Sequence, residues 1–253
     1  MEILKALYAI NSKSGREGEV KRFVLERLKD LPLNICEDHL GNLFITKGEA
    51  EMYPCVTAHL DEVHEVSPFR IVEEGTRIWG EDEGGTQVGI GADDKNGLWV
   101  VLKLLHELPV LKVALFVEEE KDGELAGCRG SGGCSLEQFD NVRYVLAVDR
   151  KGGSDVVING KGVRLCDESF PPTHLLQQYG YACVDGGKTD VVALKMRGLK
   201  VPCCNIGCGY HNAHKPEEYT DLMELNNCYS FVRSWIMHTL ETENIIYKNT
   251  CYE

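Results

Sequence analysis

The sequence has no long hydrophobic run and is short of positive charge. No stretch approaches the roughly 18 apolar residues that a membrane-spanning helix needs, so we expect no membrane segment. Lysine and arginine number 27 against 40 aspartates and glutamates, which gives a formal net charge of −13. Such a surface repels phosphate backbones and anionic lipids, so we expect neither a nucleic acid nor a membrane as partner.

The usual features of secreted proteins are also missing. No long apolar stretch follows Met1 and Glu2, so no secretory signal is visible. The 11 cysteines are irregularly spaced, and their odd number does not suit a fully paired disulfide framework. We therefore expect reduced thiols, most of them buried as small hydrophobic side chains, and a cytoplasmic location.

The chain of 253 residues alternates strand-like and helix-like segments. Apolar runs bounded by polar turns predict buried strands at 54–60, 110–117 and 143–148. Apolar residues at helical spacing predict helices at 96–108 and at about 222–239. This alternation predicts an α/β fold, a three-layer α/β/α sandwich with a mostly parallel, mixed central sheet.

Five side chains of the types that bind zinc come at or after the ends of predicted strands. They are two histidines and three carboxylates: His59, Asp93, Glu120, Asp149 and His214. Zinc accepts both ligand types, and one bridging carboxylate lets such a set hold two ions. Because α/β proteins build their sites at the carboxyl ends of strands, the sequence favours a hydrolase with a paired metal centre.

Residues next to these five predict supporting roles. Asp61 lies two residues after His59, on the same side of a strand, so it could orient the imidazole. Asp94 follows Asp93 and could serve as the N-cap of the next helix. Three adjacent glutamates at 118–120 repel one another unless a cation compensates them, which suits one metal ligand beside one general base.

Each motif also has an ordinary structural interpretation. The histidine of AHLDEV could be half-buried near a turn, the glutamate run could be a solvated face, and Asp149 could pair with Arg150 in a capped turn. A rival metal site is a zinc knuckle of two cysteines and two histidines: Cys204, Cys208, His211 and His214. Those four residues lack the long intervening loop of usual structural zinc sites.

Together and in this order, the motifs resemble those of the co-catalytic zinc exopeptidase superfamily, which includes tripeptidase T, carboxypeptidase G and related aminopeptidases. The segments that carry the resemblance span nearly the whole chain: GREGEV, DHLGNL, AHLDEV, GADDKNG, EEEKDG, GGKTD and AHKPEEY. GADDKNG and AHKPEEY look most like tripeptidase T, and AHLDEV is also similar to the glutamyl-aminopeptidase branch. The resemblance implies a zinc-exopeptidase-like fold.

The resemblance also implies how the five ligands divide between two metals. Asp93 would bridge two Zn²⁺ ions, with Co²⁺ or Mn²⁺ as alternatives. One metal would also bind His59 and Asp149, and the other would bind Glu120 and His214. The family pattern further implies a cis peptide bond after the bridging aspartate.

The roles of the remaining residues follow from the same resemblance. Glu119 would be the general base, and Asp61 would support His59. Because the run has three glutamates, a shift of one position would instead make Glu118 the base and Glu119 the ligand.

Many relatives insert a lid or dimerisation domain between the fourth and fifth ligands. Here the stretch from Asp149 to His214 must supply strands and helices of the core, which leaves no room for a further domain of about 50 residues or more. We therefore expect 1–253 to form a single metallopeptidase catalytic domain without a lid. Lid-bearing relatives commonly take a histidine from that domain to stabilise the oxyanion, so this chain must do without that donor or supply one itself. His211 is the best candidate, ahead of His64 and His174, and the alternative is that His211 is a surface-loop histidine.

The resemblance implies hydrolysis of peptide bonds by an exopeptidase, and because relatives without a lid are mostly aminopeptidases, we expect the aminopeptidase type. Its substrate would be a small peptide or an N-acyl amino acid. One alternative is an amidase, deacylase or dipeptidase of the same chemistry, and another is a non-catalytic metal- or peptide-binding protein. The sequence leaves the preferred side chain, the cleaved end, the physiological metal and the oligomeric state undetermined.

Overall fold

A computed structural model of the chain describes residues 1–65, 68–121 and 128–242. The helices in these ranges are α1 (Glu2–Tyr8), α2 (Gly18–Leu28), α3 (Ala92–Glu107), α4 (Arg129–Gly133), α5 (Thr173–Tyr179), α6 (Asp190–Met196) and α7 (Leu222–Thr242), with a 3₁₀ helix at Leu136–Phe139. No helix in these ranges is long and apolar enough to cross a membrane. The ten cysteines described are free, and most are buried.

The strands in the described ranges belong to two sheets. Strands of the large sheet are β1 (Leu33–Glu37), β2 (Leu43–Lys47), β3 (Tyr53–His59), β7 (Leu111–Phe116), β8 (Val142–Arg150), β9 (Asp155–Gly160), β10 (Val163–Arg164), β11 (Ala182–Gly186) and β12 (Cys203–Gly207). Strands of the small sheet are β4 (Arg70–Glu74), β5 (Arg77–Glu81), β6 (Gln87–Val88), β13 (Tyr210–His211) and β14 (Tyr219–Asp221).

The large sheet runs in the order β1-β2-β7-β3-β8-β12-β9-β10, with β11 also paired to β9. Its centre is parallel, since β3 pairs with both β7 and β8, and β8 pairs with β12. Toward the edges, the pairs β1–β2, β2–β7, β12–β9 and β9–β10 are antiparallel. The predicted mixed sheet of an α/β fold is confirmed.

Side chains of the central strands alternate between two hydrophobic cores. In β8, Tyr144, Leu146 and Val148 belong to the core that includes α1, α2, α3 and α7, whereas Val145 and Ala147 belong to the core that includes α6. Successive residues of a strand point to opposite faces of a sheet. The two cores therefore cover opposite faces, which gives the three layers predicted.

The small sheet connects two segments that are far apart in sequence. β4 and β5 form an antiparallel hairpin in a polar, glycine-rich part of the sequence. β14 then pairs with β5 and with β13, so the segment that carries His214 is anchored to this hairpin. The pairing of β14 was not predicted, because it is a long-range contact of a three-residue strand.

Helix α3 lies directly against the central strands. A Cβ atom at Gly97 would collide with the carbonyl oxygen of Val148 in β8 and with the carboxylate of Asp94. Any other residue would push the helix away from the sheet. The glycine of the GADDKNG segment therefore sets the depth at which the aspartates of that segment lie.

A buried ion pair fixes α3 to the N-terminal part of the chain. The ammonium group of Lys95 contacts the carboxylate of Glu62 and donates to the backbone carbonyl of Ile10, and both charged side chains are almost fully buried. Removal of one partner leaves the other charge buried and uncompensated, which costs more than the pair itself contributes.

We expect Lys95→Met to lower the free energy of unfolding by about 3–5 kcal/mol, because it leaves the Glu62 carboxylate buried without its cation. The double variant Lys95→Met/Glu62→Leu should recover most of that loss. Urea denaturation of the three proteins measures both effects. Equal stability of the single and double variants would contradict this account of the pair.

Candidate metal centre

His59 ends strand β3 and is fully buried. Its Nδ1 lies 3.0 Å from the carbonyl oxygen of Asp61. A carbonyl oxygen can only accept, so Nδ1 carries a proton, and in the neutral imidazole Nε2 has the lone pair that can bind a metal. That Nε2 lies 3.1 Å from Oδ1 of Asp93 and 3.4 Å from Oδ1 of Asp149. The imidazole thus presents a metal-binding nitrogen to two carboxylates.

Asp93 lies between the two histidines. Its Oδ1 faces His59, and its Oδ2 lies 3.3 Å from Nε2 of His214. The backbone of Asp93 and Asp94 departs from helical geometry at the start of α3, and the expected cis peptide bond joins the two residues. A carboxylate with one oxygen toward each imidazole has the arrangement of a bridging ligand.

Glu120 and His214 complete the cluster on the second side of Asp93. Oε1 of Glu120 lies 2.6 Å from Nε2 of His214. His214 adopts a left-handed backbone conformation, with φ of 64°, and is the most exposed of the five side chains. The cluster is therefore open toward solvent on the side of His214.

The nitrogen and oxygen atoms of these residues form three overlapping groups, each with its atoms within 4.8 Å of one another. The groups are His59, Asp93 and Asp149; Asp93, Glu120 and His214; and His59, Glu119 and Glu120. The first two groups share Asp93 and match the two sets that the sequence resemblance assigns to two metals. The structure thus brings all five proposed ligands together.

The charges of the cluster fit divalent cations. Burial, with a further contribution from the neighbouring Asp93, raises the pKa of Asp149 to about 6. Burial also raises the pKa of Glu119 well above its ordinary value, and the nearby carboxylates of Asp190 and Asp149 add to this shift. Several carboxylates are thus buried together at high electrostatic cost, which a bound cation would offset.

The neighbouring carboxylates raise the pKa values of both imidazoles. Burial acts to lower the pKa of His59, but its contacts with Asp149, Asp61 and Asp93 outweigh burial and leave the pKa well above the ordinary value. Hydrogen bonds to Asp93 and Glu120 raise the pKa of His214 to about 10. The carboxylates therefore favour positive charge at the positions where a metal would bind.

The three adjacent glutamates occupy different environments. The carboxylate of Glu118 forms ion pairs with Lys121 and Arg129. Glu119 is buried beside the cluster, and its Oε1 accepts a hydrogen bond from the thiol of Cys128 at 3.0 Å. Glu120 faces His214. Glu119 and Glu120 thus face the cluster, whereas Glu118 is engaged by basic side chains.

Asp61 supports the site in two ways. Its carbonyl makes the shorter contact with the His59 imidazole, since its carboxylate oxygen is 3.4 Å from Nδ1. The carboxylate instead accepts hydrogen bonds from the backbone N–H of Glu119 at 2.8 Å and of Glu120 at 3.0 Å. Asp61 therefore fixes the backbone that carries the proposed base and ligand.

The remaining sequence interpretations can be located as well. The N-cap residue of α3 is Gly91 and not Asp94, which lies in the first turn. Asp94 accepts from the backbone N–H of Gly97 at 3.0 Å and from that of His59 at 3.1 Å, so it joins the start of α3 to the end of β3. Arg150 pairs with Asp155 at 3.0 Å, so it is not the partner of Asp149.

His211, the proposed oxyanion donor, lies in β13. Its Nε2 is 2.7 Å from Oε2 of Glu224, and its ring stacks on Tyr219. Cys204 and Cys208, its would-be partners in a zinc knuckle, are fully buried in the hydrophobic core. Within the described ranges, the four knuckle residues therefore do not form a candidate metal site.

Two carboxylates beside the cluster were missed. Glu218, four residues after His214, accepts from the backbone N–H groups of Ile90 at 2.9 Å, Gly91 at 2.7 Å and Asp93 at 3.3 Å. Asp190 is buried and accepts from the hydroxyl of Ser131 at 2.5 Å. Both lie in segments that carry the family resemblance, AHKPEEY and GGKTD. The resemblance is the sequence signal from which these two carboxylates could have been predicted.

Two cavities adjoin the cluster and share Asp93 and His214 in their linings. One of about 540 Å³ extends along 62–65 and 215–218. The other, of about 310 Å³, reaches Glu119 and the lysines at 151 and 188. The candidate metal centre is thus accessible to small molecules.

Comparison with known proteins supports the fold. No family model matches the chain. A protein of Pyrobaculum aerophilum whose provisional name is LysW-lysine/LysW-ornithine hydrolase is 31% identical over 164 residues, which make up 62% of this chain and 45% of that protein. The match therefore spans less than half of the relative's length.

Several solved structures are similar over most of the chain. Aminopeptidase PepT from Bacillus cereus aligns with a TM-score of 0.79 and 14% identity, over 93% of this chain and 96% of its own. A tripeptidase from Staphylococcus aureus aligns with a TM-score of 0.73 and 16% identity, over 93% of this chain and 96% of its own. An aminopeptidase from the archaeon Desulfurococcus kamchatkensis aligns with a TM-score of 0.73 and 18% identity, over 93% of both chains. The expected zinc-exopeptidase-like fold is confirmed.

Substitution of Glu218 tests how the cluster is held. Glutamine keeps the shape of the side chain but can present only one oxygen to three backbone N–H groups, which loosens the loop that carries Asp93. We expect Glu218→Gln to weaken metal binding by about tenfold, as for loss of a hydrogen bond to a charged group. Metal content after dialysis against graded chelator measures this.

Glu217→Gln is the matched control for that variant. Glu217 precedes Glu218 and is exposed, so its substitution removes the same charge without touching the loop. Equal metal affinity of the two variants would show that Glu218 does not position Asp93.

Proposed function

We propose that this chain is a metal-dependent hydrolase of peptide or amide bonds, with the action of an aminopeptidase-like exopeptidase. The proposal is carried by one observation: Asp93 lies between two imidazoles, and the buried Glu119 lies beside the same cluster. Two metal-binding groups that share a carboxylate suit hydrolysis of an unreactive bond by water.

Each residue has a distinct part in this mechanism. His59 and Asp149 would hold one ion and Glu120 and His214 the other, with Asp93 between them; two Zn²⁺ ions fit this donor set, and Co²⁺ or Mn²⁺ are alternatives. Bound metals of this kind lower the pKa of water and polarise a carbonyl group.

We assign the proton transfer to Glu119. As a buried carboxylate beside the cluster, Glu119 would take a proton from the attacking water and return it to the leaving amine. Asp61 holds the backbone N–H of Glu119, so the base stays at a fixed position relative to the ligands.

The relatives favour peptide or amide substrates. The three similar structures are two aminopeptidases and a tripeptidase, and the relative from Pyrobaculum bears the provisional name of a hydrolase of LysW-lysine and LysW-ornithine. The name of the Pyrobaculum relative favours a second candidate function, that of an amidase that releases an amino acid from a larger molecule. A panel of amino-acid amides, dipeptides, tripeptides and N-acyl amino acids distinguishes the two activities.

We also propose that residues 1–253 act as one catalytic domain without an inserted lid. Between Asp149 and His214 the chain forms β9 to β12 of the large sheet with α5 and α6, and then β13 of the small sheet. These elements belong to the two sheets already described, which supports the proposal.

The division of labour among the glutamates provides the main test. Protein reconstituted with Zn²⁺ should hold about two equivalents of metal and hydrolyse members of the panel. Glu119→Gln should keep both metals and lose about 10²–10⁴-fold in kcat, the contribution of a general base. Glu120→Gln should instead lose metal.

Glu118→Gln serves as the matched control for this test, because it makes the same change in the neighbouring residue. We expect it to keep most activity, since Glu118 is engaged by Lys121 and Arg129. Loss of activity with full metal content in Glu118→Gln would move the base by one position. A metal-loaded protein that hydrolyses nothing in the panel would favour a non-catalytic binding protein.

His211 remains a proposed oxyanion donor, to be tested by substitution. If it has that role, His211→Ala should lower kcat by about 10²–10³-fold with unchanged metal content. Normal turnover would leave His211 with only its structural contacts to Glu224 and Tyr219, and His64 and His174 would be tested next.

A further inference from the structure

We propose that Lys188 and Lys151 form a subsite that binds a carboxylate group of the substrate beside the metal centre. This inference rests on the proposed hydrolase function and deepens it by defining the charge of the group recognised. Both lysines line the cavity of about 310 Å³ that also contains Asp93, Glu119, Glu120 and Asp149.

Lys188 has hydrogen-bonding capacity to spare. Its ammonium group donates to the backbone carbonyl of Glu119 at 3.3 Å, and Oε1 of Glu119 is 4.0 Å away. The side chain is 24% exposed. An ammonium has three N–H donors, and one contact to a carbonyl uses only one of them. Lys188 can therefore donate to a ligand in the cavity.

The backbone at Lys188 is fixed to the site. Thr189, the next residue, donates from its hydroxyl to Oδ2 of Asp149 at 3.0 Å. Asp190 then begins α6 and is buried, with its carboxylate on the hydroxyl of Ser131. Lys188 is thus held against the cluster by its neighbours and does not lie on a free surface loop.

Lys151 lies two residues after the proposed ligand Asp149. The intervening Arg150 is paired with Asp155, whereas Lys151 is exposed and forms no ion pair or hydrogen bond with the part of the chain that the structure describes. The following residue, Gly152, donates its backbone N–H to the carbonyl of Tyr210 at 2.8 Å. The lysine therefore extends from an anchored turn at the rim of the cavity.

The charge of the cavity indicates what these lysines bind. Four carboxylates line it, and two divalent cations would balance them. The two ammonium groups would then be an excess of positive charge next to the reacting bond. A peptide can present a carboxylate at its C-terminus or on an acidic side chain, and either forms charge-assisted hydrogen bonds with an ammonium group.

Two pairs of substrates distinguish these sources. Trialanine and trialanine amide differ only in the terminal carboxylate, whereas glutamyl-alanine amide and glutaminyl-alanine amide differ only in the side chain. We expect the wild-type enzyme to prefer the acid in one pair. Lys188→Met should raise KM for that acid by about tenfold, as for loss of a hydrogen bond to a charged group, and leave KM of its amide unchanged.

Three further variants control the interpretation. Lys188→Arg keeps the charge and should keep the preference, and Lys151→Met should reduce it less because Lys151 is exposed. Lys200→Met removes an exposed lysine outside the cavity and should change neither KM. Thermal unfolding of each variant confirms that it is folded.

Equilibrium binding separates this inference from the proposed function. Calorimetric titration of metal-loaded Glu119→Gln with the four compounds measures the preference without turnover. If the wild type hydrolyses nothing but binds an acid more tightly than its amide, and Lys188→Met abolishes that preference, the subsite stands and the hydrolase proposal fails. An unchanged preference in the Lys188→Met/Lys151→Met double variant, or equal binding of acids and amides by the parent, would overturn the subsite.

Discussion

The carboxylate of Asp93, placed between the imidazoles of His59 and His214, is the contact on which the whole centre depends. Its two oxygens lie 3.1 and 3.3 Å from those rings, and the other proposed ligands are grouped around it. His59 comes from the end of a central strand and His214 from the segment beside the small sheet. A displacement of Asp93 would therefore separate the two halves of the cluster.

The protein holds this aspartate through its backbone. Glu218 accepts hydrogen bonds from three N–H groups of the loop that leads into α3, and that loop passes through Gly91, whose φ is 61°. A Cβ at Gly91 would also collide with the buried carboxylate of Glu62. Since Glu218 and His214 are on the same segment, the position of the proposed ligand His214 is linked to that of the proposed bridging carboxylate of Asp93.

The sequence predicted the parts of this arrangement that depend on local pattern. A buried strand ending at the first histidine is seen as β3, and the five ligand candidates meet because parallel strands end at one edge of the sheet. The sequence could not predict which strands pair over long distances along the chain. β1 is mostly exposed, with little alternation to reveal it, and β14 is only three residues long. The contact of His211 with Glu224 likewise joins elements that no periodicity relates.

The role of Glu218 illustrates the same limit at the level of single residues. In sequence it is one of two adjacent glutamates, and nothing in AHKPEEY distinguishes the exposed Glu217 from the buried Glu218. Only the fold shows that one carboxylate meets the backbone of a loop more than a hundred residues earlier. The same holds for Lys188, because its proposed role depends on a cavity that is also lined by residues of β8 and β12.

The electrostatic cost of the centre connects its chemistry to the stability of the fold. Asp94, Asp190 and Glu218 are buried behind the proposed ligands, and burial raises the pKa of Asp190 and of Glu218 to about 7. These groups are satisfied by backbone N–H groups or a hydroxyl, which stabilise the carboxylates without cancelling their charge. Cations that bind the folded site and not the unfolded chain would lower this repulsion, so metal binding would stabilise the folded state.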